Sequence, residues 1–249
     1  MILENKVAVV YGAGGAIGGA VARGFAREGA TVHLAGRTEA SLKVVADDIT
    51  SKGGKAETHV VDALDEAAVE QLVDTIVERS GRLDVSFNLI GVGDVQRPLL
   101  DLSVDEFLQP IRTSMRTQFL TTKAASRPMI KQGAGVVLTF GGSGPQTVEG
   151  IGGFKISLDA LEGLRRQWAL ELGPKGIRAL TLKTGGIPES LPMDVPERDA
   201  IIATLKEPTL LKRTATFEDV GNVAAFAASD LAKSITSTEI NISCGGIVD

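Results

Sequence analysis

The chain has 249 residues, which suits one large α/β domain or at most two small ones. A formal net charge of −5 and the absence of any basic run of five or more disfavour binding to a nucleic-acid backbone, which needs clustered Lys and Arg. The single cysteine, Cys244, excludes an intramolecular disulfide and a cysteine-based metal cage.

The two histidines, His33 and His59, lie in no sequence spacing typical of metal ligands, so no metal is expected. No stretch of 18 apolar residues occurs, and the N-terminal residues run straight into a strand pattern. A reducing cytoplasm and no membrane partner are therefore the expectation.

Apolar runs and amphipathic stretches alternate along the chain. Val7-Ala8-Val9-Val10 reads as a buried strand, followed by glycines and a helix from about 17 to 28. Strands are expected at 31–35 and 55–61, with a helix at 41–51 between them. Val69, Leu72, Val73, Ile76 and Val77 trace one helical face. A fourth strand is expected at 85–90, then helices at 103–109 and 112–131, and a fifth strand at 135–140. A long helix follows at 154–173 and a sixth strand at 178–182. The stretch 186–212, carrying Pro188, Pro192, Pro196 and Pro208, reads as irregular. A helix from about 218 and a strand at 239–242 close the pattern.

This alternation predicts an α/β fold: a doubly wound parallel sheet of Rossmann type in three αβα layers, forming one domain over 1–249. Ligands on such sheets sit beyond the carboxyl ends of the strands, near the point where the strand order reverses. The first such loop reads Tyr11-Gly12-Ala13-Gly14-Gly15-Ala16-Ile17-Gly18-Gly19. Small residues there let a pyrophosphate approach the backbone and the free N–H groups of the next helix. A plain tight turn is the alternative reading. Arg37 directly follows the second strand with no acid beside it, and reads either as an ordinary surface arginine or as a contact suited to a ribose 2′-phosphate.

The loop resembles the Thr-Gly-x-x-x-Gly-x-Gly loop of the short-chain dehydrogenase/reductase family. Gly12, Ile17 and Gly18 match it, whereas Tyr11 replaces its Thr and Ala16 its middle Gly. Asn88-Leu89-Ile90-Gly91 resembles the family's Asn-Asn-Ala-Gly segment. Stretches at 119–125, 169–178 and 213–219 and the final Gly245-Gly246 extend the resemblance along the whole chain.

The resemblance implies a nicotinamide dinucleotide held by Gly12, Gly14, Gly15, Ala16, Ile17, Arg37, Asp62, Ala63, Asn88, Gly91 and Ile187, with NADP(H) favoured over NAD(H). Asp62 would meet the adenine and Ile187 would back the nicotinamide. The Pro-rich 186–212 stretch resembles the family's substrate lid. A homotetramer or homodimer is implied too, and the substrate class is a small apolar carbonyl or enone.

The family's chemistry rests on an Asn, a Ser, and a Tyr and Lys four residues apart. Those positions fall here on Ser114, Gly142, Phe154 and Leu158. The only tyrosine in the chain is Tyr11, so no shift of register supplies the missing hydroxyl. Ser143, one place from Gly142, and Lys183, beyond the sixth strand, are the candidate substitutes. Two functions follow as expectations. One is an NADP(H)-dependent oxidoreductase of unusual mechanism. The other is a dinucleotide-binding homologue without turnover, acting as a sensor or a partner subunit.

Overall fold

The computed structural model describes every residue except Ser143, Pro145, Gln146, Pro192 and Asp249. Seven parallel strands form one sheet in the order β3-β2-β1-β4-β5-β6-β7. They are β1 (Val7–Tyr11), β2 (Thr31–Gly36), β3 (Lys55–Val60), β4 (Val85–Asn88), β5 (Gly135–Gly141), β6 (Ile177–Lys183) and β7 (Thr238–Asn241). Strand β1 reads as a continuous apolar run because both of its faces are covered, the expectation for a parallel sheet.

Helices α1 (Ala16–Arg27), α2 (Glu39–Ser51) and α7 (Phe217–Ala228) cover one face. Val21 and Phe25 of α1, Leu42 and Val45 of α2, and Val220 and Ala224 of α7 pack there on Val10, Val32 and Leu138. Helices α3 (Glu66–Ser80), α4 (Val104–Gln132) and α5 (Gly152–Leu172) cover the other. There the α3 stripe Val69, Leu72, Val73 and Ile76 meets Val9, Tyr11, Ala124 and Met129. The reversal of strand order falls between β1 and β4, and their carboxyl ends open the crevice where ligands bind in such folds.

Helix ends follow local chemistry. Asp65 caps α3 by accepting from the Ala68 N–H, and Gly81 closes it in the left-handed region at φ 73°. Ser103 with Glu106, and Thr216 with Asp219, form capping boxes that start α4 and α7.

Three expectations are corrected. The stretch read as helices at 103–109 and 112–131 is one helix, α4, continuous through Pro110. A proline inside a helix forfeits one hydrogen bond and crowds the preceding turn, at about 3 kcal/mol. Close packing offsets that here: Gly153 of α5 approaches so near that an added Cβ would lie 2.7 Å from the Phe107 carbonyl and 2.9 Å from Pro110. The stretch 186–212 is not wholly irregular either, since it holds α6 (Arg198–Lys206). Its prolines flank that helix and leave its interior free. The fourth strand ends at Asn88, two residues short of the predicted Ile90. Among the described residues no helix is long and apolar enough to cross a membrane.

Candidate active site

The glycine loop leaves β1 by a turn that only glycine accommodates. Gly12 sits at φ 77°, and a Cβ there would lie 2.0 Å from the Leu89 carbonyl oxygen of the neighbouring strand end. Gly18, one turn into α1, is equally constrained, with a Cβ position 2.2 Å from the Gly12 oxygen. Gly14 passes close to Ser41, and Gly15 caps α1 with no side chain of its own. Ala16 is the first residue of α1 and is exposed, so its methyl points away from the packed turn. The opening turn of α1 thus presents backbone N–H groups with no intrahelical partner at the crevice.

A cavity of about 520 Å³ lies over this turn, walled by Gly12, Gly14, Gly15, Arg37, Asp62, Ala63 and Gly91. Arg37 is exposed and, among the described residues, makes no ion pair. Asp62 is exposed, and its carboxylate accepts from the Leu64 N–H at 3.0 Å, which shapes the turn after β3. Asn88 lies beneath, buried, and its amide donates to Thr121 Oγ1 at 2.8 Å. It holds β4 to α4 and does not line the cavity.

A second cavity, of about 480 Å³, continues from the first across Leu89, Ile90, Gly91 and Val92. Its wall is chiefly apolar, from Ile17, Phe140, Phe154, Leu158, Leu161 and Ile247. Phe154 and Leu158 stand four apart on α5 and face it together. Ser114 and Gly142 line it as well, so the four positions singled out in the sequence converge. Ser143 lies outside the described residues. Ile187 does not line either cavity; it is buried, packed in the core beneath α1 and α7.

Tyr11, the only tyrosine, points the other way. Its ring is buried between the sheet and the α3–α4 layer, and its hydroxyl has no partner among the described residues. Burial pushes its pKa far up, so it stays protonated and remote from the cavity.

Lys183 accounts for Gly142. The β5–β6 register sets Lys183 opposite Gly141, and its stem runs directly past the next residue. A Cβ at Gly142 would lie 2.5 Å from Lys183 Cβ and 2.6 Å from its Cγ. The Lys183 ammonium, almost wholly buried, pairs with Glu239 of β7 at 2.8 Å. Because Gly142 also holds φ 84°, Gly142→Ser is expected to destabilise the chain by about 1–3 kcal/mol. Urea unfolding would read this. Adding Lys183→Ala should recover only the part due to contact with Cγ and Cδ, because alanine keeps the Cβ at 2.5 Å, and should leave the backbone strain.

Other polar residues at the site carried no motif in the sequence. Thr117 and Gln118 of α4 line the second cavity, and Gln109 and Thr113 the first. Gln118 donates to the Asn88 carbonyl at 3.3 Å, while its own carbonyl oxygen is buried without a partner among the described residues. The signal was available as a helical stripe, since Thr113, Thr117 and Thr121 recur every four residues beside Ser114 and Gln118.

The comparisons agree with this geometry. A family model described as enoyl-(acyl carrier protein) reductase matches residues 12–246. A short-chain dehydrogenase/reductase of Armillaria gallica is 32% identical over 259 aligned positions, covering 99% of this chain and 97% of that protein. The crystal structure of NAD+-bound xylitol dehydrogenase superposes with a TM-score of 0.89 at 25% identity, over 98% of this chain and 100% of that one. A putative NAD(P)-dependent gluconate 5-dehydrogenase from Beutenbergia cavernae, with bound NADP, gives 0.87 at 28% identity over 98% and 97%. With the glycine turn, the strand order and matches spanning nearly its whole length, the chain belongs to the short-chain dehydrogenase/reductase family.

Proposed function

We propose that the chain binds NADP(H) across the two joined cavities and is an oxidoreductase for a small apolar acceptor that needs no proton from a protein side chain. A polarised carbon–carbon double bond is the substrate class that fits. One observation carries this: Phe154 and Leu158 make an apolar pair where the family's Tyr and Lys are expected, while the only tyrosine is buried elsewhere.

The residues fit a dinucleotide. Gly12 and Gly18 leave a backbone cradle that a Cβ would fill, and the first turn of α1 offers N–H donors to a pyrophosphate. Gly14, Gly15, Ala63 and Gly91 keep the walls low, and Asp62 offers acceptors to an adenine. When bound, the nicotinamide supplies or takes the hydride. The chain itself binds and orients the acceptor through Ile17, Phe140, Phe154 and Leu158, and the proton that follows the hydride comes from solvent water.

NADP(H) over NAD(H) rests on Arg37. Arg37→Ala is expected to weaken NADPH binding by roughly 10- to 100-fold, since a charge-assisted contact contributes about 1.5–3 kcal/mol. NADH binding should hardly change. Equal losses for both cofactors would remove the argument for the 2′-phosphate.

The function itself is tested by titrating NADPH and NADH, then following NADPH consumption with a panel of enones and carbonyls. Consumption with enones and little with carbonyls is expected. Binding without consumption would favour the second reading, a dinucleotide-binding homologue without turnover. A specific observation supports that reading: both lysines lining the second cavity are ion-paired, Lys155 with Asp159 and Lys183 with Glu239.

The stretch 186–212 is the proposed lid over the second cavity, hinged at Gly186, against which Leu205 of α6 packs. Exposed Leu170 on α5, and Phe119 of α4 stacked on Trp168, offer a surface for a homodimer or homotetramer. Sedimentation of the purified chain would read the assembly, and a monomer at micromolar concentration would rule it out.

A further inference from the structure

We propose that His33, Glu57 and His59 form a binding site for one divalent transition ion of the zinc class, on the outer edge of the sheet and apart from both cavities. None of the three lines either cavity, so this inference stands or falls independently of the function proposed above.

Strand register builds the site. The parallel pairing of β2 with β3 sets His33 opposite Glu57 and puts His59 two residues further along the same face. His33 Nδ1 lies 3.0 Å from His59 Nε2 and 3.9 Å from Glu57 Oε2. One ligand atom from each residue falls within 4.8 Å of the others. Two ligands held at 2.0–2.1 Å in a tetrahedron around zinc are about 3.3 Å apart, so small ring rotations suffice to seat an ion. Two imidazoles and a carboxylate select zinc, cobalt, nickel or copper over magnesium or calcium.

The surroundings keep the ligands available. His33 is wholly buried, and its Nδ1 is held toward His59 and Glu57. β3 is the edge strand, and the Glu57 side chain is 35% exposed, which gives an ion entry and a fourth ligand position for water. Two contacts compete with the ion: the His33 Nδ1···His59 Nε2 hydrogen bond, whose proton must move to the far nitrogen of its ring, and Arg79 at the end of α3, whose guanidinium lies 2.7 Å from Glu57 Oε2. The Arg79 side chain is 58% exposed and can withdraw into solvent when a stronger cation arrives.

The test titrates the full chain, stripped with a chelator, with zinc alone by calorimetry and with cobalt by visible absorption. Saturable binding of one ion per chain and a tetrahedral cobalt spectrum are expected. Loss of even an outer-shell partner weakens metal sites about 10- to 100-fold, so His59→Gln should lower zinc affinity at least that far. Glu57→Gln provides a second reading at a half-exposed position. Arg79→Gln should tighten binding several-fold by removing the competing cation. Far-UV circular dichroism and a cooperative urea transition of each variant report that it has folded. Absence of saturable zinc binding, zinc affinity unchanged in folded His59→Gln or Glu57→Gln, or no tightening in Arg79→Gln would each overturn the site.

Discussion

Phe154→Tyr combined with Leu158→Lys is expected to raise NADPH-dependent carbonyl reduction by roughly 10²–10⁴-fold over the parent chain, the range that a positioned acid–base group contributes. The geometry for it is already in place. Both positions line the second cavity from one face of α5, and neither is fully buried, so a hydroxyl and an ammonium could be solvated there. The ammonium would lower the tyrosine pKa by charge proximity and would find hydroxyls on a bound ribose. Lys183 nearby is compensated by Glu239, so the new cation meets no isolated like charge.

Two departures cap the gain. Gly142 offers no hydroxyl to orient a carbonyl, and Ser114 reaches less far than the family's Asn. The measurement is the initial rate of NADPH oxidation with a carbonyl panel, beside a binding titration. Silence with NADPH bound would mean that the substrate-facing wall no longer presents a carbonyl to α5. Silence without binding would remove the cofactor reading itself.

The fold was legible because periodicity is strong where burial is complete. The runs at 7–10 and 178–182 had to be central strands, and the 69–77 stripe had to face the sheet. The glycine turn was legible for the same kind of reason: Gly12 and Gly18 lie where backbone meets backbone, and the spacing records that contact. Local rules misread α4, because Pro110 obeys a packing contact with Gly153 that lies 43 residues further along the chain. Lys183 and Gly142 were visible singly, but their exclusion of one another depends on the β5–β6 register. The pairing of His33 with His59 likewise exists only once β2 and β3 align. Thus contacts between adjacent strand ends, where much of the site lies, were the least readable part of the sequence.

Beneath that site, Glu162→Ala is expected to destabilise the chain by about 3–5 kcal/mol, the usual loss when one partner of a buried ion pair is removed. Glu162 and Arg165 stand one turn apart on α5 with side chains only 2% and 5% exposed. The guanidinium donates to the Glu162 carboxylate through Nε and NH2, both at 2.8 Å. Thr181 of β6 donates to the other oxygen, and Thr181 is bonded in turn to Thr139 at 2.9 Å. Alanine would strand Arg165 in the interior, and urea unfolding at pH 7 would read the loss. A loss under about 1 kcal/mol would mean that water replaces the carboxylate and that the pair is not a structural anchor.

The pH dependence sharpens the test. Burial, joined by a hydrogen bond that the protonated Glu162 carboxyl donates to Glu239, raises the Glu162 pKa against the opposing pull of Thr181 and Arg165. A carboxyl raised in the folded state contributes stability that is complete below its unfolded value, near 4.5, and lost as pH climbs through the folded value. Glu162→Gln removes that titration, so the parent's advantage over the glutamine variant should be largest in acid and shrink toward neutrality. An advantage that instead grew with pH would show that the Arg165 pairing outweighs burial. Because Glu239 also anchors Lys183, the same network fixes the lysine stem that occupies the side-chain space of Gly142. Glu162→Gln is therefore expected to alter the second cavity through Glu239 and Lys183, and NADPH binding measured across the same pH range would report that coupling.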